Sequence, residues 1–326
     1  MNSFKNKVDR IVKSIVSPSD RSVELISPPV DKPLEQFRPV NTDDVLKLVN
    51  KSPTKSSACD PMPTWLLKLC PETVIPYIAR IINSSIGEST FPDAFKSAII
   101  TPILKKQSLD QNDLANYRPI SNLSFISKVL EKVVLSQINE HLEENNLCKK
   151  IQSAYRPNHS TETALLRVQN DILSAIDDGN IVLLLMIDLS AAFDLVNHDI
   201  LLARLETKFG ITLNALAWIR SYLSGRSQKC VINGESSSPV TLSRGVPQGS
   251  VLGPVLFSLF TAPLGDIAKK HNMERHFYAD DMYSQFYLRF KIKNAGSDIV
   301  TVNACAADIK SGWHLMNSSL TTKKPS

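Results

Sequence analysis

Asp188, Asp280 and Asp281 are the residues whose type and placement could support chemistry. Asp280 and Asp281 are adjacent, and they follow the uncharged residues Phe277–Tyr278–Ala279 at the end of an apolar run. Neighbouring carboxylates repel each other, and their position after an apolar run is costly unless something compensates. The chain has two more Asp–Asp pairs, and both are explained without chemistry. Asp43–Asp44 falls in the first turn of a helix for which Thr42 is the expected cap, where carboxylates meet the positive end of the dipole. Asp177–Asp178–Gly179–Asn180 has turn composition. Asp280–Asp281 instead lies between strand-like runs at 275–279 and 283–290, at the tip of a hairpin, and Asp188 ends the apolar run IVLLLMID. If these strands are neighbours, three carboxylates converge. Two divalent cations would neutralise them, with Mg²⁺ the usual choice for oxygen donors. Such a site serves in-line phosphoryl transfer. Taken singly, Asp188 or Asp281 is better read as a turn residue; taken jointly, with their strand contexts, they favour the metal reading.

The elements that must position these residues follow from periodicity. IVLLLMID, a continuous apolar run entered from a turn, predicts a strand buried on both faces over 181–188. Residues 96–106 are β-prone, and 229–233 with 239–242 suggest a hairpin around Gly234–Glu235. Helices are expected near 64–70, 73–87, 123–143, 161–177, 198–208, 213–223, 251–270 (kinked at Pro254) and 298–316. In the 123–143 helix Leu123, Ile126, Val129, Leu130, Val133, Ile138 and Leu142 form the apolar face; in the 161–177 helix Leu165, Val168, Ile172 and Ile176 do so. Residues 4–15 also carry a helical stripe, and the five prolines of 17–40 read as an extended linker.

Bulk composition narrows the class. A chain of 326 residues, 43% hydrophobic and 21% charged, is globular and supports a substantial core. A net charge of +5 is compatible with a polyanionic partner without requiring one. The five cysteines are an odd number with no CxxC spacing, which argues against a disulfide framework or a zinc site and for an intracellular chain. No apolar stretch reaches membrane-spanning length, so no membrane partner is expected. The histidines lack metal-ligand spacing, and His198 and His276 read as local hydrogen-bonders.

Three segments, "MIDLSAAFDLVNHDIL" (186–201), "SRGVPQGSVLGPVLFSLF" (243–260) and "FYADD" (277–281), resemble, in this order, the central palm motifs of reverse transcriptases of non-LTR retrotransposons, the Jockey and CR1-like groups. Upstream, "ITPILKK" (100–106), "NYRPISNLSFISKVLEKVV" (116–134) and "QSAYRPNHSTETAL" (152–165) are similar to that family's fingers motifs. The resemblance covers about residues 88–317. It implies an α/β (α+β) right-hand polymerase fold, with an antiparallel palm sheet backed by helices, fingers at about 88–180, palm at about 181–317 and the thumb missing. Residues 1–87 would be a helical and linker extension, and the reverse transcriptase domain would run over 88–320.

The resemblance also implies roles. Asp188, Asp280 and Asp281 would hold two Mg²⁺ ions, or Mn²⁺ in their place, with the Leu189 carbonyl nearby. Lys105 or Lys106, with Arg118, would hold the triphosphate, since a guanidinium grips phosphate bidentately and lysine acts as a mobile point charge. Phe193 would lie beneath the incoming sugar, where a ribose 2′-OH clashes; the alternative is core packing. Asp194 shares the motif without a metal role. Gln248 would hydrogen-bond the nucleotide or the template base, and Gly249 would permit close backbone approach. Tyr155 and Arg156 would touch template. Ten Lys/Arg against seven Asp/Glu between Lys96 and Arg167 are consistent with a surface that follows phosphates.

The implied activity is RNA-directed DNA synthesis from deoxynucleotides on an RNA template and a DNA primer. The family continues after FYADD toward a segment like WMxxNxLxLNxxKTE, whereas this chain has GWHLMNSSLTTKKPS and loses that pattern. A catalytically silent remnant that only binds nucleic acid is therefore the second reading. A generic two-metal phosphotransferase or nuclease is the third. It accounts for the carboxylates but not for Phe193, the Gln248 loop and the fingers motifs together.

Overall fold

The computed structural model describes Asn6 and residues 30–54, 57, 59–147, 160–187, 192–232, 234–278, 282–290 and 295–317. Helices form where apolar residues recur at helical spacing: α1 (Thr42–Lys51), α2 (Thr64–Leu69), α3 (Pro71–Gly87), α4 (Phe125–Glu144), α5 (Thr161–Asp177), α6 (His198–Thr207), α7 (Leu213–Leu223), α8 (Gly253–Lys270) and α9 (Ala295–Asn317). The strands are β1 (Ser97–Leu104), β2 (Tyr117–Asn122), β3 (Ile181–Ile187), β4 (Ser227–Ile232), β5 (Glu235–Ser236), β6 (Val240–Thr241), β7 (Glu274–Tyr278) and β8 (Met282–Phe290). The fold is mixed α/β. One sheet has the order β2-β1-β4-β5, with β6 also paired to β4, and a second has the order β3-β8-β7. In the first, β1 runs antiparallel to β2 and parallel to β4. The second is antiparallel throughout. Among the described residues no helix is long and apolar enough to cross a membrane.

One hydrophobic cluster joins Phe37, α1, α3, α4, α6, α7, α8 and α9. Its densest point is Trp218, fully buried on α7. The indole meets Phe37 edge-on at 5.7 Å and Phe91 at 5.5 Å, and it stacks on Tyr222 at 5.8 Å. Its Nε1–H donates to Ser85 Oγ at 2.9 Å, so the ring's polar edge is satisfied inside the core. Phe37, Ser85 and Phe91 come from the first hundred residues and Trp218 from the third hundred. From Val30 the proline-rich stretch is extended and docked: Leu34 N–H donates to the Gly210 carbonyl, and the Leu34 and Glu35 carbonyls accept from Thr212 and Ala215.

Several local expectations change. The cap of α1 is Asn41, whose side chain accepts from Asp44 N–H, and Thr42 is the first helical residue. Pro254 stands in the first turn of α8, where a missing N–H costs nothing, so it starts the helix instead of kinking it; Pro263 is the proline inside. β3 is not buried on both faces: Ile181, Leu183 and Leu184 are exposed, and β3 is also the edge of a three-stranded sheet among the described residues. On α5 the buried face is Ala164, Val168 and Ala175, while Leu165 and Ile176 are exposed. Replacing Trp218 by alanine should cost about 3–5 kcal/mol, the range for removing a large buried aromatic. Chemical denaturation at constant m-value is the measurement.

Candidate active site

The β3-β8-β7 sheet sets the geometry around the expected carboxylates. Ile187, the last residue of β3, pairs with Ser284, and Tyr278 pairs with Met282 across the β7–β8 hairpin. Ser284 and Met282 are two positions apart on β8, with Tyr283 between them. Strand rise and interstrand spacing therefore put the Cα atoms of Ile187 and Met282 about 8 Å apart. The chain entering 188–191 and both strands flanking 279–281 thus meet at one end of one sheet. Asp188, Leu189, Asp280 and Asp281 themselves lie outside the described residues, as do Tyr155 and Arg156.

The Arg244–Leu252 loop is held between two segments. On one side lies the single 3₁₀ turn Ala192–Leu195 and the chain after it. Gly245 N–H donates to the Val196 carbonyl at 2.8 Å, and Val246 N–H to the Phe193 carbonyl at 2.9 Å. His198 Nε2 donates to the Gly245 carbonyl at 2.8 Å. Gly245 has φ +86°, and an added Cβ would stand 3.0 Å from the backbone of Phe193 and Asp194. The Gln248 amide donates to Asp194 Oδ2 at 3.1 Å, which gives this carboxylate a structural partner. On the other side lies β2. Ser121 N–H donates to the Gln248 carbonyl at 2.8 Å, and a Cβ on Gly249, at φ +105°, would stand 2.8 Å from the Ser121 carbonyl oxygen. Both glycines are required by left-handed backbone and close approach.

Phe193 is buried at 6% exposure, and its ring stacks on Phe257 of α8 at 5.0 Å. Lys105, Lys106 and Arg118 are exposed around the β1–β2 hairpin. Ile103 pairs with Arg118 in the register, and Lys105 N–H donates to the Asn116 carbonyl at 2.9 Å. The hairpin bearing these cations continues, three residues beyond Arg118, to Ser121 and hence to the Gln248–Gly249 backbone. The structure therefore joins Phe193, Asp194, Gln248 and Gly249 directly, and it connects Arg118 to them through one strand.

Sequence reasoning missed a buried polar group behind the loop. Glu131 on α4 is fully buried, with Tyr222 and Arg226 packed near it. Arg226 is 2% exposed; its guanidinium lies over the rings of Tyr222 and Phe91 at 4.8 and 5.5 Å, and it donates to the Tyr222 carbonyl at 2.9 Å. The available signal was position: Glu131 falls at helical spacing with Ser127, Val134 and Ile138, on the face that faces the core.

Two consequences can be measured. Gly249→Ala should destabilise the protein by about 1–3 kcal/mol through backbone strain against Ser121, read from urea denaturation. Burial holds the His198 imidazole below its ordinary value of 6.5, against the opposing pull of the Gly245 bond and Asp199. Between that depressed value and 6.5 the unfolded chain binds protons more readily than the folded one. The contribution to stability is thus complete above 6.5 and is lost as pH falls through the folded value. Denaturation midpoints should drop from about pH 7 to about pH 5, and His198→Gln should make that drop shallower.

Comparison with known proteins identifies the family. Residues 103–295 match the family described as reverse transcriptase (RNA-dependent DNA polymerase). The chain is 33% identical over 229 residues, 70% of its length, to the probable RNA-directed DNA polymerase from transposon BS of Drosophila melanogaster. It is 32% identical over 267 residues, 80% of its length, to the RNA-directed DNA polymerase from mobile element jockey of Drosophila funebris. It is also 32% identical over 257 residues, 78% of its length, to the probable RNA-directed DNA polymerase from transposon X-element of Drosophila melanogaster. It spans 25%, 29% and 28% of the length of these relatives, respectively. With the match covering more than half its residues, the chain belongs to the reverse transcriptase family of the non-LTR retrotransposon type.

Proposed function

We propose that this chain carries out RNA-directed DNA synthesis: a primer 3′-OH attacks the α-phosphate of a deoxynucleotide paired to an RNA template, and pyrophosphate leaves. The observation that carries the reading is the strand register, in which Ile187 and the β7–β8 hairpin meet at one sheet end with Asp188, Asp280 and Asp281 next in sequence. Three carboxylates are a hard-oxygen donor set, which fits Mg²⁺ and admits Mn²⁺, and not a thiol- or imidazole-seeking metal. Asp188, Asp280 and Asp281 would hold two such ions with the Leu189 carbonyl, and when bound these would supply Lewis-acid stabilisation of the charge at the transferring phosphate.

The remaining residues bind and orient. Arg118, with Lys105 or Lys106, would grip the triphosphate from the β1–β2 hairpin, fingers fashion. Gln248 and Gly249 would face the incoming nucleotide, with the amide of Gln248 oriented by Asp194. Phe193, fixed by Phe257 and by its own carbonyl's bond to Val246, would limit space at the sugar. Tyr155 and Arg156 would contact template. In this reading residues 88–180 are fingers and 181–317 palm, and an RNA template, a DNA primer and a deoxynucleotide are the partners.

Primer extension on an RNA template with Mg²⁺ is the test. Wild type should incorporate deoxynucleotides, and Asp280→Asn should reduce incorporation by about a thousandfold, since losing metal-borne charge stabilisation is worth several kcal/mol. Equal incorporation by both would sink the assignment. So would RNA binding that weakens with salt but never leads to incorporation, the behaviour of a silent remnant.

A further inference from the structure

We propose that Glu131 is the positioning residue of the Gln248 loop: its buried carboxylate, carried on α4, accepts the N–H groups of Val251 and Leu252 and so fixes where the loop ends. α8 starts at Gly253, and Leu252 in the cap position has no capping side chain of its own. The N–H groups at a helix start have no partner within the helix. Ser250 serves one, accepting from Gly253 N–H at 3.0 Å while donating to the Pro247 carbonyl at 2.8 Å. Glu131 Oε2 serves two more, accepting from Val251 N–H at 2.8 Å and Leu252 N–H at 3.0 Å across 120 and 121 residues of chain.

The carboxylate is built into its place. Oε2 also accepts from the Tyr222 hydroxyl at 3.2 Å, and Oε1 from the Ser127 hydroxyl at 3.1 Å. Arg226 adds positive charge nearby, and its buried Nη2 has no hydrogen-bond partner among the described residues. Burial pushes the Glu131 carboxyl up from the ordinary range, and the Leu252 N–H, Arg226 and the Val251 N–H pull it back. An apolar side chain would fill such a position at less desolvation cost. What this carboxylate adds is order at one loop. β2 and α4 are consecutive elements, so Ser121 and Glu131 grip the loop at Gln248 and at 251–252 from one short stretch of chain.

The effect on incorporation rests on the reading under Proposed function; the anchoring itself does not. Amide hydrogen exchange on the full chain reads the anchoring without turnover. In Glu131→Gln, which keeps shape and one acceptor oxygen, peptides covering 244–254 should exchange about tenfold faster while those of α1 and α3 stay unchanged. Ser127→Ala removes a bond to the same carboxylate that does not touch the loop, and it should move the loop peptides by less than about threefold. Where wild type extends primers, the same Glu131→Gln variant should raise the deoxynucleotide KM about fivefold with kcat within about twofold, the pattern of a displaced binding element. Unchanged exchange over 244–254, or acceleration spread evenly over the chain, overturns the proposal. A loop loosened equally by Ser127→Ala overturns it as well. A wild type that incorporates nothing overturns the polymerase reading and leaves exchange to decide the anchoring.

Discussion

The backbone of Arg244–Leu252 has no sheet or helix of its own to satisfy it, and the rest of the site depends on how that deficit is met. A buried peptide group without a partner costs about as much as a lost hydrogen bond. Here the partners come from three separate parts of the chain: the Phe193–His198 segment, Ser121 at the end of β2, and Glu131 on α4. A loop held this way has a single position, and that position is defined jointly by elements that carry the hairpin cations and by elements that follow Asp188 in sequence.

Two glycines make that contact possible. Gly245 lies against the Phe193–Asp194 backbone and Gly249 against Ser121, both at left-handed φ. Any side chain would push the loop away from one wall or the other. Behind them, aromatic packing gives the walls their stiffness: Phe193 on Phe257 at one side, and Trp218, Tyr222 and Phe91 with the Arg226 guanidinium at the other. The site is thus a backbone arrangement resting on a hydrophobic core, in which the buried Glu131 is directed at the loop and Ser85 at the Trp218 ring edge.

Much of the fold was legible in the sequence because periodicity is a local signal. The 161–177 and 213–223 helices appear over the expected residues, and the Asp177–Asn180 turn forms with Gly179 at φ +72°. What was not legible depended on neighbours. The apolar run of β3 suggested burial on both faces, but burial is decided by what covers a strand, and β3 is an edge among the described residues. On α5 the buried stripe falls on Ala164, Val168 and Ala175, beside the exposed Leu165 and Ile176, a choice set by the helix's neighbours and not by local periodicity. At the site, the glycines and Gln248 were evident from their motif, whereas Glu131 was not, since a glutamate on a helix reads as surface until the hydrogen bonds of a distant loop come into view.

The parallel pairing of β1 with β4 matches Ser97 with Ser227, a separation of 130 residues. On a ribosome adding about 5–20 residues each second, the first strand emerges and then waits on the order of ten seconds for its neighbour. Through that interval one edge of the β1–β2 ribbon is open to pairing with other chains. The open stretch of β1, Ser97–Ile100, lies at the opposite end of the ribbon from the Lys105–Lys106 tip and is covered when β4 arrives.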